Sequence, residues 1–350
     1  MAERVLDLTI AAEPEPPPAV LTRHLEGIER ALRRTALTSK SHLGRMTSYH
    51  MGWCDPAGRR ADAPAGKRIR PALTVWACEA LGGDPEWAMP AAVSVELIHN
   101  FTLIHDDIQD GDLERRHRPT VWSIWGSAQG INAGDGLFAM AMQAALAPGP
   151  HAERRMRAAH ALSAAIAEVV EGQCMDLALE GSPAASTASY LRLATAKTGA
   201  LLGASLAAGA LVAGASPECV RRFEAAGRLL GLAFQVRDDW LGTWGDTALT
   251  GKAGSSDLRR RKLTYPIVAA YEIATPAQRR ELRRLFREED EAGEERLRAL
   301  LNQCGGASLT GDAPMVIARD AVAAIDPVDL PRRALQEFAE VAVHVAERVH

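Results

Sequence analysis

Residues Val95–Thr120 read VELIHNFTLIHDDIQDGDLERRHRPT. The first half is apolar with helical spacing and ends in three carboxylates, Asp106, Asp107 and Asp110. The i, i+4 relation puts Asp106 and Asp110 one turn apart on one face, with Asp107 flanking. Carboxylates this close repel one another unless a cation sits between them. Hard oxygen donors with no cysteine nearby point to Mg²⁺, which takes one or two carboxylates together with phosphate oxygens and water. An isolated DDxxD is as readily the solvated end of a helix, so the neighbours decide. His99 lies seven residues before Asp106 and shares its face, although a lone histidine is more often a core residue. Arg115, Arg116 and Arg118 follow in a loop. An acidic cluster that holds metal and an arginine cluster that holds a phosphate group are complementary halves of one site.

A second acidic segment is Phe234–Asp246, FQVRDDWLGTWGD. Asp238 and Asp239 again follow an apolar helix, and Gln235 is one turn earlier on their face. Two such segments can face each other across the interior of a helical bundle, which is how bundles build metal sites. Downstream, Lys252 and the run Arg259-Arg260-Arg261-Lys262, with Asp257 between them, offer cations for a phosphate, with Arg259 and Arg261 read as solvated loop residues. Upstream, Gly66-Lys67-Arg68-Ile69-Arg70-Pro71 opens a helix with proline near its first turn. Lys67 and Arg70 are three apart and can point to one anion. Lys197 and Thr198 head an uncharged helix and are a weaker signal. Gln173 and Asp176 share a face of a mostly apolar helix and read as inward-facing polar residues.

Helical periodicity runs through the rest of the 350 residues, with no sustained strand alternation and no fixed repeat. Helices are expected at Leu21–Ala36, Arg70–Leu81, Ala88–Asp107, Ala133–Ala147, Arg154–Leu179, Ala188–Ala213, Pro217–Trp240, Tyr265–Ile273, Pro276–Phe286, Glu291–Gln303, Pro314–Ala324 and Leu330–Val349. The fold class is therefore all-α: a single large helical bundle, residues 19–350, around a central apolar cavity. Residues 1–18, with a Pro-rich stretch at Glu13–Pro18, read as a disordered tail.

Thr198–Pro217 carries no charge and is long enough to span a bilayer. Its Ala and Gly content favours a buried central helix over a membrane span. A net charge of −4 and a pI near 6.2 give no global basic character, so no nucleic-acid partner is expected. Five scattered cysteines form no CxxC pair, which argues against a disulfide framework or zinc site and fits a reducing cytoplasm.

Together these segments resemble the trans-isoprenyl diphosphate synthase (polyprenyl synthetase) family. The resemblance spans about Ala65–Tyr271 and comprises GKRIRP, ELIHNFTLIHDDIQD, RRHRPT, EGQCMD, AKTG, FQVRDD and GDTALTGK. It implies the isoprenoid synthase fold, a homodimer, and three Mg²⁺ ions per active site. The implied reaction is head-to-tail condensation of isopentenyl diphosphate with an allylic diphosphate, whether dimethylallyl, geranyl or farnesyl. By the same resemblance Asp106, Asp110 and Asp238 are metal ligands, supported by Asp107, Asp176 and Asp239. Arg115, Lys197, Thr198, Gln235 and Lys252 would hold the allylic diphosphate; Lys67, Arg70, His99 and Arg116 would hold isopentenyl diphosphate.

Two residues depart from the family pattern. Gly242 stands where a third aspartate usually closes the second acidic motif, and His117 stands where the arginine pair is usually followed by glycine. With Asp238 and Asp239 retained, Gly242→Asp is expected to change activity only modestly. An aromatic at Phe101, a small neighbour at Thr102 and an uninterrupted DDxxD resemble short-chain synthases, with a tunnel floor at Phe101, Thr102 and Ile98. Geranylgeranyl diphosphate is the expected product and farnesyl diphosphate the next. The competing readings are a terpene cyclase, which would not need the Lys67, Arg70, His99 and Arg116 set, and a non-catalytic partner subunit, which would not need intact acidic motifs.

Overall fold

The computed structural model describes residues 16–36, 40–64, 66–180, 186–245, 257–258, 262–287 and 291–348. Most of the N-terminal tail, Asp246, Lys252 and Arg259–Arg261 lie outside the described residues.

The chain opens with α1 (Ala19–Thr22), α2 (Leu25–Thr35) and α3 (His42–His50), then enters the bundle proper with α4 (Ile69–Ala80) and α5 (Pro85–Gln109). A two-stranded hairpin, β1 (Glu114–Arg115) and β2 (Arg118–Pro119), leads to α6 (Val121–Trp125) and α7 (Ser127–Ala145). Next come α8 (Ala152–Leu179), α9 (Thr187–Ala194), a π turn at Thr195–Gly199, α10 (Ala200–Ala213) and α11 (Pro217–Trp244). Helices at Tyr265–Ile273, Pro276–Leu285, Glu291–Gln303, Gly306–Gly311, Ala313–Ile325 and Arg332–Glu347 complete the described chain.

Helix α5 begins earlier than its apolar pattern suggests because Asp84 caps it. The Asp84 carboxylate accepts the Glu86 amide at 2.9 Å, and Pro85 occupies the first helical position. Helix α5 runs past Asp106 and Asp107 and ends with Asp110 as its C-cap, and α11 runs on past Asp238 and Asp239, so these aspartates have directions fixed by the helices.

Helix α10 lies at the middle of the bundle, packed against α4, α8 and α11. Every residue from Ala200 to Val212 is buried. The segment Thr187–Ala213 is long and apolar enough to cross a membrane, and 89% of its most apolar window is buried inside the protein. Its small residues serve close approach. A Cβ on Gly209 would lie 2.2 Å from the Thr74 carbonyl oxygen of α4, and one on Gly227 of α11 would lie 2.5 Å from that of Leu202. At the N-terminal side of the bundle, Trp76 of α4 packs against Phe223 and Phe338, ring centroids 5.9 and 5.2 Å away. The five cysteines are free thiols.

Three short helices and both strands of the hairpin escape the periodicity. α3, α6 and the Gly306–Gly311 helix have too few turns to show an amphipathic repeat. The two-residue strands of the hairpin are too short for any alternation.

Candidate active site

A cleft of about 620 Å³ opens between the C-terminal halves of α5 and α11. Asp106 and Asp110 form one acidic wall; Asp238 and Asp239 form the other, joined by Asp176 of α8 and by Asp257. Arg115, Arg116 and His117 of the hairpin roof one side, and Lys197 and Thr198 of the π turn the other. Leu103, Leu193 and Ala194 supply apolar lining. The uninterrupted helix expected over residues 188–213 is in fact broken here. The extra residue in a π turn bulges the backbone, a geometry common at functional sites, and it places Lys197 and Thr198 on the cleft wall.

The carboxylates do different things. Asp106 faces the cleft, and burial raises its pKa; Lys197 opposes that shift and Asp110 adds to it. Asp110 receives Lys262 Nζ at 2.7 Å. Asp107 is 1% exposed and turned away from the cleft, as a 100° step along the helix requires. It accepts Arg115 Nε at 2.6 Å, and burial pushes its pKa up to about 6 against the pull of that arginine. Asp107 thus holds the hairpin rather than facing the acidic pair.

Asp239 is buried in a closed network. Its oxygens accept Tyr190 Oη at 2.5 Å, the Tyr265 amide at 2.8 Å and Gln235 Nε2 at 2.9 Å, while Thr198 Oγ1 donates to Gln235 Oε1 at 2.7 Å. Burial pushes its pKa up to about 7; the Asp257 charge adds to this and the three donors oppose it. Asp238 is the more open of the pair and accepts Arg348 Nη2 at 2.8 Å. Asp176 accepts Lys197 Nζ at 2.6 Å. Gln173 does not reach the cleft lining; its Nε2 donates to Gln109 Oε1 at 2.8 Å.

The hairpin turn explains the histidine at position 117. Arg115 pairs with Arg118 across a two-residue turn in which Arg116 and His117 have φ of +53° and +60°. Positive φ at both central positions is the type I′ pattern, which glycine meets freely. Histidine is among the side chains that tolerate it better, at a cost of roughly 1 kcal/mol. The hairpin is anchored from below: Tyr49 Oη donates to the Pro119 carbonyl at 2.8 Å, and the Arg118 guanidinium lies 4.1 Å from the Tyr49 ring centre.

A second cationic group lies behind the hairpin. Burial pushes Arg70 and Arg116 each down to about 10, and Arg70 Nε has no hydrogen-bond partner. His99 is held well below its usual range by burial, then by the charges of Arg70, Arg116 and Arg115. Lys67 is lowered by burial and by Arg348. Lys67, Arg70 and His99 do not line the 620 Å³ cleft. They converge beside it, linked to it through the Arg115-Arg116 turn. Lys67, Arg70 and Arg116 beside a neutral His99, with Glu96 the nearby counter-charge of the two arginines, offer charge-assisted donors to an anion.

The residues expected to floor a tunnel are placed differently. Ile98 is fully buried in the core. Phe101 packs edge-on against His105 and Phe138, centroids 5.7 and 5.5 Å away. Thr102 Oγ1 donates to the His99 carbonyl at 2.8 Å. None of the three lines the cleft, because Phe101 sits on the α7 side of α5. Tyr190 and Arg348 belong to none of the motifs in the sequence, although Tyr190 lies six residues before AKTG. Lys262 belongs to the basic run that was read.

Among the described residues no three His, Cys, Asp or Glu side chains are gathered into a ready cage for a metal. Mg²⁺ does not need one, since it binds through one or two carboxylates plus phosphate oxygens and water. An all-oxygen donor set on two facing walls, with cationic side chains between, fits that ion.

The profile of the Polyprenyl synthetase family matches residues 53–304. A (2E,6E)-farnesyl diphosphate synthase of Mycobacterium tuberculosis is 41% identical over 327 residues, covering 91% of this chain and 90% of that protein. A geranylgeranyl diphosphate synthase of the same organism is 43% identical over 253 residues, 72% of each chain. A crystal structure of a polyprenyl synthetase from Streptomyces coelicolor superposes with a TM-score of 0.86 at 39% identity, covering 93% of this chain and 98% of that one.

Proposed function

The chain belongs to the polyprenyl synthetase family and is a prenyltransferase that makes short-chain prenyl diphosphates, and from that premise we propose which groups hold each substrate and which product forms. Asp106, Asp110 and Asp238 would hold Mg²⁺, which when bound neutralises diphosphate charge as the leaving group departs. Asp239, already fully hydrogen-bonded, positions Gln235, and Asp107 positions Arg115. Arg115, Lys197, Thr198 and Gln235 bind the allylic diphosphate, with Lys252, which lies outside the described residues, as a further cation. Lys67, Arg70, His99 and Arg116 bind isopentenyl diphosphate beside it. Holding the two substrates side by side removes much of the entropic barrier to their union. Leu103, Leu193 and Ala194 keep water from the allylic cation.

The observation that carries this assignment is the pair of adjoining sites: two facing acidic walls, and a separate cationic recess that shares the Arg115-Arg116 turn. A cyclase acting on one allylic diphosphate has no use for the recess. Geranylgeranyl diphosphate is the proposed product and the cytoplasm the proposed location. A homodimer is proposed on Ile131 and Phe138, seven apart on one face of α7 and 48% and 39% exposed. Asp106→Ala and Asp238→Ala test the metal assignment. Turnover should fall by about a thousandfold with melting temperature retained; near-normal turnover in either would refute it.

A further inference from the structure

Gly242 stands one turn after Asp238 on the cleft face of α11. A glycine inside a helix costs about 1 kcal/mol relative to alanine, and its φ is not positive, so the backbone does not require it. The surroundings do. A Cβ built on Gly242 would lie 2.0 Å from Asp257 Oδ2, 2.8 Å from its Cγ and 3.5 Å from its Cβ. The carboxylate of Asp257 occupies the volume that a side chain at 242 would enter. Asp257 also lines the same cleft as Asp238 and Asp239 and as the facing pair Asp106 and Asp110.

We propose that Asp257, from the segment that precedes Lys262, supplies the third carboxylate of the second acidic wall in place of a residue at 242. That wall is then Asp238, Asp239 and Asp257, and the glycine is the opening that admits Asp257. The inference rests on the metal–diphosphate reading of this cleft. It reverses the expectation that Gly242→Asp is nearly neutral: a second carboxylate there meets Asp257 both sterically and by like charge.

The test is Mn²⁺ binding in the presence of inorganic diphosphate, counted by electron paramagnetic resonance, with no turnover required. Wild type is compared with Asp257→Asn, Gly242→Asp and the double variant Gly242→Asp/Asp257→Gly, with a melting curve for each. Asp257→Asn keeps the side-chain volume and should weaken Mn²⁺ binding on the order of tenfold. Gly242→Asp should weaken it similarly. The double variant, which vacates the volume and returns a carboxylate from α11, should recover to within about threefold of wild type. Wild-type affinity in Asp257→Asn or in Gly242→Asp would overturn the proposal, as would a folded double variant no better than the single ones. Absence of diphosphate-dependent Mn²⁺ binding in wild type would overturn it together with the metal reading itself; normal wild-type binding with an indifferent Asp257→Asn would overturn it alone.

Discussion

Arg348, just past the last helix, donates a 2.8 Å hydrogen bond to the carboxylate of Asp238 while its guanidinium lies 3.7 Å from the Phe234 ring centre. The same cation lowers the pKa of Lys67 and of Arg70. Arg348 therefore touches a proposed metal ligand and borders the recess proposed for isopentenyl diphosphate. Arg348→Gln frees Asp238 of a competing cation. It should lower the Mg²⁺ concentration for half-maximal rate by about threefold, half an order of magnitude in binding. Magnesium titrations of initial rate check this, and a higher requirement in the variant would contradict it.

The cationic recess makes a substrate-selective prediction. Lys67→Ala or Arg70→Ala removes a charge-assisted bond to one diphosphate only. The KM for isopentenyl diphosphate should rise by about ten- to a hundredfold, with the KM for the allylic partner changed by less than about threefold. Equal effects on both would mean that the recess does not discriminate between the substrates.

Asp239 and Asp107 give the protein a pH signature. Their carboxyls are pushed up to about 7 and about 6 in the folded chain, above the ordinary unfolded value near 3.9. A raised folded pKa contributes stability that is complete below the unfolded pKa and is lost as pH rises through the folded one. In EDTA, melting temperature should therefore decline between pH 5.5 and pH 7.5. Asp239→Asn, which cannot ionise, should show a shallower decline. Parallel melting curves for the two proteins across that window would refute the assignment.

The large features were legible because they are local. The aspartates of α5 sit on one long helix, so i, i+4 spacing gives their direction, and α10 is uncharged over its whole length. What was not legible depends on contacts between distant segments. Tyr190 reaches Asp239 from another helix, and Arg348 reaches Asp238 from 110 residues away in sequence. The type I′ turn at Arg116-His117 hides in the sequence because glycine, its usual marker, is absent. Gly242 reads as a lost ligand until the position of Asp257 is known.

We propose that product length is set at the α5–α7 contact. Phe101 and Phe138 meet edge-on at 5.5 Å, away from the acidic cleft. On this proposal a chain that grows past Leu103 enters between these helices. Phe101→Ala should lengthen the product by at least one isoprene unit, and Phe138→Ala should do the same because the two rings form one barrier. Thr102→Phe should shorten it. Chromatography of dephosphorylated products reads the result, and unchanged lengths in all three variants would remove this contact from chain-length control.

The most direct measurement is incubation of the purified protein with radiolabelled isopentenyl diphosphate and, separately, dimethylallyl, geranyl or farnesyl diphosphate, with Mg²⁺ or with EDTA, followed by product sizing. The expected result is label in a linear prenyl diphosphate ending at C20, formed with Mg²⁺ and absent with EDTA. Failure to incorporate isopentenyl diphosphate with any primer, or conversion of an allylic diphosphate alone into a cyclic hydrocarbon, would contradict the assignment of two adjoining diphosphate sites.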